Sequence, residues 1–240
     1  MANEPPPIPT RPECDITKTQ IMVDLFTVPH DQRGESWRQS LLDHVETASF
    51  RKGDPELVTG PDGFPYFALY TPIPMQSFES FCIRNMKDDF ILINGCGIVI
   101  NPSGESSDWV FTYGDIVNLH VSQKFYNTDH VPIVPKTEII SAEEDVLIGH
   151  PSDMFVPMHT RNILRSFLIK NGIKTPSFML MARKIQGIAV QQLVFNIYKA
   201  DHPHETVENL MRSISWLMPR HYILVLIPKD SNLVKNFVPI

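Results

Sequence analysis

Cysteine is scarce in this chain, and no apolar run is long enough to cross a membrane. The 240 residues include three cysteines, Cys14, Cys82 and Cys96, and none belongs to a CxxC pair. Three is too few, and an odd number, for a disulfide framework, so reduced thiols in a cytoplasmic protein are the simplest interpretation. The longest apolar run, residues 222–228, falls far short of the roughly 20 residues that a membrane-spanning helix needs.

Targeting signals and the common catalytic motifs are missing as well. Residues 1–12 are rich in proline and contain no hydrophobic core, so we expect neither a signal nor a transit peptide, a cytoplasmic location and no membrane partner. The chain has neither the GxGxxG nor the GxxxxGK[ST] spacing of a phosphate-binding loop. It also has no GxSxG nucleophile elbow. These absences predict no catalytic centre and no cofactor.

Three small clusters contain the residue types of a reactive site, but each also has a structural explanation. Cys96 lies between two glycines and could be a reactive thiol, although a cysteine beside a strand is more often a small core residue. Asp108 and Asp115 could form a carboxylate pair, but Asp115 is equally well explained as a helix cap. The run 202–205, His-Pro-His-Glu, suits the first turn of a helix better than a zinc site, which needs three or four ligands. We therefore predict no catalytic and no metal-binding residue.

Charge is unevenly divided along the chain. Residues 1–153 hold 10 Lys and Arg against 23 Asp and Glu, a net charge of −13, whereas residues 154–240 hold 11 against 4, a net charge of +7. Such asymmetry indicates a surface for a nucleic acid, a membrane or an acidic partner. The alternatives are that the two halves face each other or carry ordinary solvated surfaces. The possible interaction surface consists of Arg161, Arg165, Lys170, Lys174, Arg183 and Lys184.

Hydrophobic spacing and turn residues predict an α+β protein of two small domains, each with helices packed on an antiparallel or mixed sheet. We place a proline-rich, disordered or extended lead-in at 1–20, a first domain at 21–130, a linker at 131–148 and a second domain at 149–240.

The expected elements follow from the same patterns. Asn94-Gly95 predicts a hairpin turn between two strands, and the apolar run 222–227 predicts a central strand buried on both faces. Asp201 is expected to cap the last helix. The predicted strands are 21–28, 64–70, 90–93, 97–100, 108–112, 177–183, 191–198 and 222–227, and the predicted helices are 35–50, 77–88, 114–126, 157–170 and 203–218.

Three segments resemble the SseB-like (enhanced serine sensitivity) family. They are the aromatic strand 62–72, Asp-Gly-Phe-Pro-Tyr-Phe-Ala-Leu-Tyr-Thr-Pro, the element 95–102, Gly-Cys-Gly-Ile-Val-Ile-Asn-Pro, and the strand around Trp109. Residues 78–81 lie where that family has a helix, and Gly149-His150-Pro151 opens a half that is similar to its C-terminal domain. The resemblance implies a cytoplasmic, bacterial, two-domain α+β protein with an interaction or regulatory role and no assigned catalytic residues. Some relatives are linked with regulation of secretion systems.

Together these observations predict a non-enzymatic protein that binds an unidentified protein partner through charged surfaces. Two alternatives stay open. One is a small-molecule-binding protein or an enzyme with its site near residues 95–115. The other is a protein whose basic half binds nucleic acid or another acidic partner. The sequence leaves the oligomeric state open.

Overall fold

The computed structural model of this protein describes residues 14–104, 106–127, 146–185 and 187–240. The chain divides into two compact units. The first consists of Met1–Phe90 and Ile98–Val110, and the second of Ile91–Gly97 and Phe111–Ile240. Helices and a sheet are combined in each unit, so the predicted α+β class is confirmed.

The first unit contains most of a four-stranded sheet and the helices that precede it. Its elements are α1 (Ile16–Phe26), α2 (Glu35–His44), β1 (Arg51–Thr59), β2 (Pro65–Tyr70), α3 (Ile83–Met86), β3 (Gly97–Ile100) and β4 (Trp109–Phe111). The strand order is β1-β2-β3-β4, and β1 and β2 are antiparallel. Because β2 lies between two other strands, its residues Tyr66 to Leu69 are all buried. Pro65 stands at the first position of β2, where a missing N–H is tolerated.

Helix α1 replaces the strand that was expected at 21–28. The Asp15 carboxylate caps this helix by accepting hydrogen bonds from the backbone N–H groups two and three residues later. Thr19 and Met22 are buried three residues apart, which is the spacing of a helix face. The strand prediction is wrong because it relied on a loose alternation of apolar residues and overlooked the helix cap at Asp15.

A continuous helical segment follows α3. The chain forms a π-helical turn at Lys87–Ile91 and a last α-turn, α4, at Leu92–Asn94. Gly95 ends the segment in the left-handed region, with φ +67° and ψ +35°. Its N–H donates to the Ile91 carbonyl at 3.1 Å, as the residue after a helix commonly does.

This segment corrects three expectations. The helix predicted over 77–88 begins only at Ile83. The strand predicted at 90–93 and the hairpin turn at Asn94-Gly95 are wrong, because a glycine with positive φ serves a helix end as well as a hairpin turn. The strand predicted at 97–100 is confirmed as β3.

The second unit is built on a mixed five-stranded sheet. Its further elements are α5 (Tyr113–Ser122), β5 (Val146–Gly149), α6 (Met158–Lys170), β6 (Ser177–Ile185), β7 (Ile188–Phe195), α7 (His204–Leu217), β8 (Ile223–Val225) and β9 (Val238–Pro239). The strand order is β5-β6-β7-β8, and β9 pairs with β6. β7 and β8 are parallel, whereas the other pairs are antiparallel. The predicted order of helix, two strands, helix and strand is confirmed.

Strand β8 departs from its prediction. Among the described strands it pairs only with β7, and its three residues are half-buried, so the expectation of a central strand buried on both faces is wrong. The apolar run has another cause, since Val225 packs against the buried cluster of Met179, Met181 and Val194.

The predicted boundaries meet the described residues only in part. Of the linker at 131–148, residues 131–145 lie outside the described part of the chain, and 146–148 belong to β5. Of the lead-in at 1–20, residues 1–13 lie outside it, and 16–20 belong to α1. The first unit ends at Val110, so α5 belongs to the second unit.

Candidate functional site

A groove of about 390 Å³ opens in the first unit between the start of α2 and the start of β4. We call it the Arg33 groove. It is lined by His30, Arg33, Gly34, Glu35, Trp37, Arg38, Asp108 and Trp109.

Arg33 holds one wall of this groove together. Its guanidinium donates to Asp108 Oδ1 at 2.7 Å and to the Asp108 carbonyl at 3.1 Å, and its Nε donates to the Val28 carbonyl at 2.9 Å. Asn101 Nδ2 donates to the second carboxylate oxygen of Asp108 at 2.8 Å. The Arg33 and Asp108 side chains are 7% and 18% exposed. The pair is therefore hydrogen bonded on both sides and fixed before any ligand arrives.

Two tryptophans continue the wall. The Arg33 guanidinium lies 4.6 Å from the centroid of the Trp37 ring, in the geometry of a cation–π contact. The Trp37 and Trp109 ring centroids are 5.7 Å apart. Trp37 Nε1 donates to the Leu25 carbonyl at 2.8 Å, which fixes the orientation of that ring. Trp37 is buried and Trp109 is half-buried, so Trp109 presents the aromatic surface to the groove.

The rim of the groove is charged and open. Arg38 Nη1 lies 3.3 Å from Glu35 Oε1, and the two side chains are 39% and 76% exposed. A pair this exposed contributes little to stability and can be exchanged for a pair with a ligand. His30 is also exposed. Apart from the two chain neighbours of Gly34, no described residue has an atom within 4 Å of a Cβ built on Gly34. The mouth of the groove is therefore open at that position.

Three ionisable side chains of the second unit are shielded from water: Cys96 and Tyr113 are buried, and Tyr222 is half-buried. Burial raises the pKa of the Cys96 thiol to about 11 and the pKa of Tyr113 and of Tyr222 to about 12 each. The Tyr113 hydroxyl lies 3.0 Å from the Leu92 carbonyl and 3.3 Å from the Thr160 hydroxyl. The Cys96 thiol stays protonated and lacks the lowered pKa that is typical of a catalytic thiol. Of the two interpretations of Cys96, a reactive thiol or a small core residue, the structure favours the core residue.

These pKa shifts predict a loss of stability at alkaline pH. Because the folded values lie above the ordinary 9.0 of cysteine and 10.0 of tyrosine, the unfolded chain releases these protons first. The stabilisation is complete below pH 9 and falls as the pH rises to 12, by up to about 1.4 kcal/mol per pH unit for each group. We expect the urea midpoint of Tyr113→Phe to decline less steeply between pH 10 and 12 than that of the original chain. Equal declines would contradict the assignment to Tyr113.

Asp108 and Asp115 each have a partner of their own. Arg220 donates two 2.7 Å hydrogen bonds to the fully buried Asp115 carboxylate. Asp115 also forms a capping box with Thr112, in which each side chain bonds the backbone N–H of the other. Asp115 thus takes part in capping the helix, but as the third residue of α5 and not as its N-cap, which is Thr112. Asp108 lines the Arg33 groove.

The run 202–205 forms the start of α7. The helix begins at His204, with Pro203 as the residue before it. Asp201, which was expected to cap the helix, instead accepts a 2.9 Å hydrogen bond from Lys229 Nζ, and that expectation is wrong. In the described ranges, no group of three or more His, Cys, Asp and Glu side chains is placed to hold a metal ion.

Three of the six predicted surface residues make contacts within the second unit. Arg161 donates to two backbone carbonyls at 2.9 and 2.6 Å. Arg165 donates to the Ile240 oxygen. Arg183 is buried and donates to Gln192 Oε1 at 3.0 Å. These arginines hold the unit together.

The three lysines are exposed, but the structure does not gather them in one place. Lys170 is the last residue of α6, and Lys174 follows it in the segment before β6. Lys184 lies seven residues after Ser177, the first residue of β6, which is about 23 Å along an extended strand. A charged surface for a partner or for nucleic acid stays a prediction, with Lys170 and Lys174 as its neighbouring members.

Only part of the lining of the Arg33 groove was predicted from the sequence. Asp108 and Trp109 fall in the region 95–115 that was named for a possible ligand site. Arg33 was missed because its partner is 75 residues away and leaves no local pattern. The one local signal is Gly34, a residue without a side chain at the start of a helix.

No helix in the described part of the chain is both long enough and apolar enough to cross a membrane. Comparison of the chain with protein-family models, with curated proteins and with solved structures finds no match.

Proposed function

We propose that this chain is a non-enzymatic regulatory protein of the bacterial cytoplasm, of the SseB-like type, which binds a protein partner through the Arg33 groove. The observation that carries the proposal is the preformed wall of Arg33, Asp108, Trp37 and Trp109 beside an open mouth. Tryptophan and arginine are among the residues that contribute most to binding at protein interfaces. Side chains that are fixed before binding also lose less conformational entropy when the partner arrives.

The groove dictates the chemistry of the partner segment. A volume of about 390 Å³ accommodates a large side chain and its neighbouring backbone. An aromatic or aliphatic side chain would pack on Trp109. A neighbouring carboxylate would pair with Arg38 in place of Glu35, since their exposed ion pair is readily exchanged. The expected partner segment is therefore an apolar residue next to Asp or Glu.

Filling the mouth of the groove tests this proposal. Gly34→Phe places a ring where the described residues leave open space, at a position with φ −92° that any residue adopts. Gly34→Ala also replaces the glycine by a residue with a Cβ, but its methyl group does not fill the groove. In quantitative capture from the native cytoplasm, a protein bound by the original chain and by Gly34→Ala should be lost with Gly34→Phe. A partner retained equally by all three proteins would overturn the proposal.

A charge reversal on the rim gives a second readout of the same complex. Arg38→Glu should weaken capture of that protein roughly tenfold. Arg212→Glu is the matched control, because Arg212 is an exposed helical arginine of the second unit. Equal weakening by both changes would mean that net charge, not the groove, determines the binding.

A small-molecule occupant is the competing outcome. In that case the groove variants leave every captured protein unchanged, and denaturing the original chain releases a compound that Gly34→Phe does not carry. That result would mean that the Arg33 groove binds a small molecule and not a protein.

A further inference from the structure

Two cysteines that are 68 residues apart in the sequence meet in the first unit. Burial, and after it a side-chain hydrogen bond with Cys14, raise the pKa of the Cys82 thiol to about 12. Asn85 Nδ2 lies 3.8 Å from Cys14 Sγ and donates to it. Cys14 is half-buried, whereas Cys82 is 1% exposed. Both thiols are reduced in this structure.

The backbone brings the two thiols together. The N–H of Asp15, directly after Cys14, donates to the Thr47 carbonyl at 2.7 Å. The N–H of Arg84, two residues after Cys82, donates to the Glu46 carbonyl at 2.9 Å. Because both cysteine segments are tied to adjacent residues of one turn, their proximity is a property of the fold and not of a side-chain rotamer alone.

We propose that Cys14 and Cys82 form a reversible redox pair, which closes to a disulfide when the protein meets a peroxide. A disulfide needs sulfur atoms about 2.05 Å apart and Cβ atoms roughly 3.5–4.5 Å apart, and the contact of Asn85, three residues after Cys82, with Cys14 Sγ places the two segments side by side. Cys96 has no part in this pair, since it is buried in the second unit with its sulfur 3.9 Å from the Ile91 carbonyl. It serves as the internal control.

The chemistry proceeds in two balanced steps. The more accessible sulfur, Cys14, attacks one oxygen of hydrogen peroxide. The O–O bond breaks, and the products are a sulfenic acid and one water. The Cys82 thiol then attacks the Cys14 sulfur, and its proton passes to the oxygen of the breaking S–O bond as water leaves. Because burial keeps Cys82 protonated, this proton transfer belongs to the same step and no free Cys82 thiolate is formed. Two thiols and one peroxide thus give one disulfide and two waters.

Closing this bond would tie the segment before α1 to the segment before α3. The cross-link spans a long loop, for which the loss of unfolded-state entropy is large. Disulfides in the cytoplasm are typically transient and redox-sensing. The pair would therefore make the first unit more stable under oxidising conditions and return it to the reduced state afterwards.

The test uses the full-length chain, reduced and then treated with hydrogen peroxide. After alkylation under denaturing conditions, we expect one alkylated cysteine instead of three and a peptide that links Cys14 to Cys82. Dithiothreitol should reverse the change. The melting temperature of the oxidised protein should rise by roughly 5 °C or more. Cys96→Ser should behave in the same way, whereas Cys14→Ser, at a half-buried position, should show neither linkage nor shift.

Three results would overturn the proposal. One is full alkylation of all three cysteines after peroxide treatment. Another is oxidation of Cys14 to sulfinic acid without linkage, which would place the Cys82 sulfur out of reach. The third is a disulfide that includes Cys96 or joins two chains.

Discussion

Replacing Gly114 with alanine should lower the free energy of unfolding by about 3 kcal/mol or more. Gly114 lies in the first turn of α5, and a Cβ built there falls 1.9 Å from the Met218 carbonyl oxygen and 2.3 Å from its carbonyl carbon. Both of those atoms belong to the backbone, so no side-chain rotation can relieve the overlap. Either α5 or the end of α7 must move.

Helix propensity alone predicts the opposite sign for this substitution. Alanine is favoured over glycine in a helix by about 1 kcal/mol, so stabilisation of Gly114→Ala would show that the close approach to Met218 is absent. Gly149→Ala is the control, because, apart from its two chain neighbours, no described residue has an atom within 4 Å of a Cβ at Gly149. Urea unfolding of the two variants should give a large loss for Gly114→Ala and a change within about 0.5 kcal/mol for Gly149→Ala.

Replacing Arg33 with alanine should lower the free energy of unfolding by a similar amount, about 3 kcal/mol. The substitution leaves the Asp108 carboxylate without the cation that lies 2.7 Å from it. It also removes the donor to the Val28 carbonyl and the cation above the Trp37 ring. Removing one partner of a buried pair costs more than the pair itself contributes, because the remaining charge stays buried.

Two further variants distinguish the loss of the Arg33–Asp108 hydrogen bonds from the loss of a positive charge. Arg33→Lys keeps the positive charge but loses the planar fork that reaches several acceptors at once, so we expect an intermediate loss. Arg38→Ala removes an arginine from the same groove whose ion pair is exposed, and we expect a change of about 0.5 kcal/mol or less. Equal losses for Arg33→Ala and Arg38→Ala would contradict the anchoring role of Arg33.

The sequence was most informative where a pattern was both long and periodic. Helix α6 begins within one residue of its predicted start, and Leu164 and Leu168, four residues apart, are fully buried. The aromatic strand β2 and the Gly97–Ile100 strand were also predicted. In each case burial of a continuous face or run determines both the element and its apolar residues.

Prediction failed where one local pattern serves two structures. Asn94-Gly95 supplies a positive φ, and only the helical turns before it decide between a hairpin and a helix end. The run around Ile223–Val225 is apolar at the edge of the described sheet, since an edge strand can still pack against neighbouring side chains. At α1, the helix cap at Asp15 was a better guide to the structure than the weak apolar alternation that predicted a strand.

The candidate site was predictable only in part, because its residues come from distant parts of the chain. Asp108 was singled out for its carboxylate, but the sequence could not supply Arg33, 75 residues earlier. The basic surface shows the reverse error. Arg161 and Arg183 look like surface charges in the sequence, yet their guanidinium groups bond to acceptors within the second unit.

Site-specific photo-crosslinking tests the proposed groove most directly. A photoreactive residue at Glu35, on the rim, should cross-link to one partner protein in native cell lysate, because that side chain is 76% exposed and lines the groove. The same residue at Asp43, exposed on the same helix outside the groove lining, should not. An adduct from position 35 alone, abolished by Gly34→Phe, is the result that this account predicts. Equal adducts from both positions, or none from position 35, would contradict it.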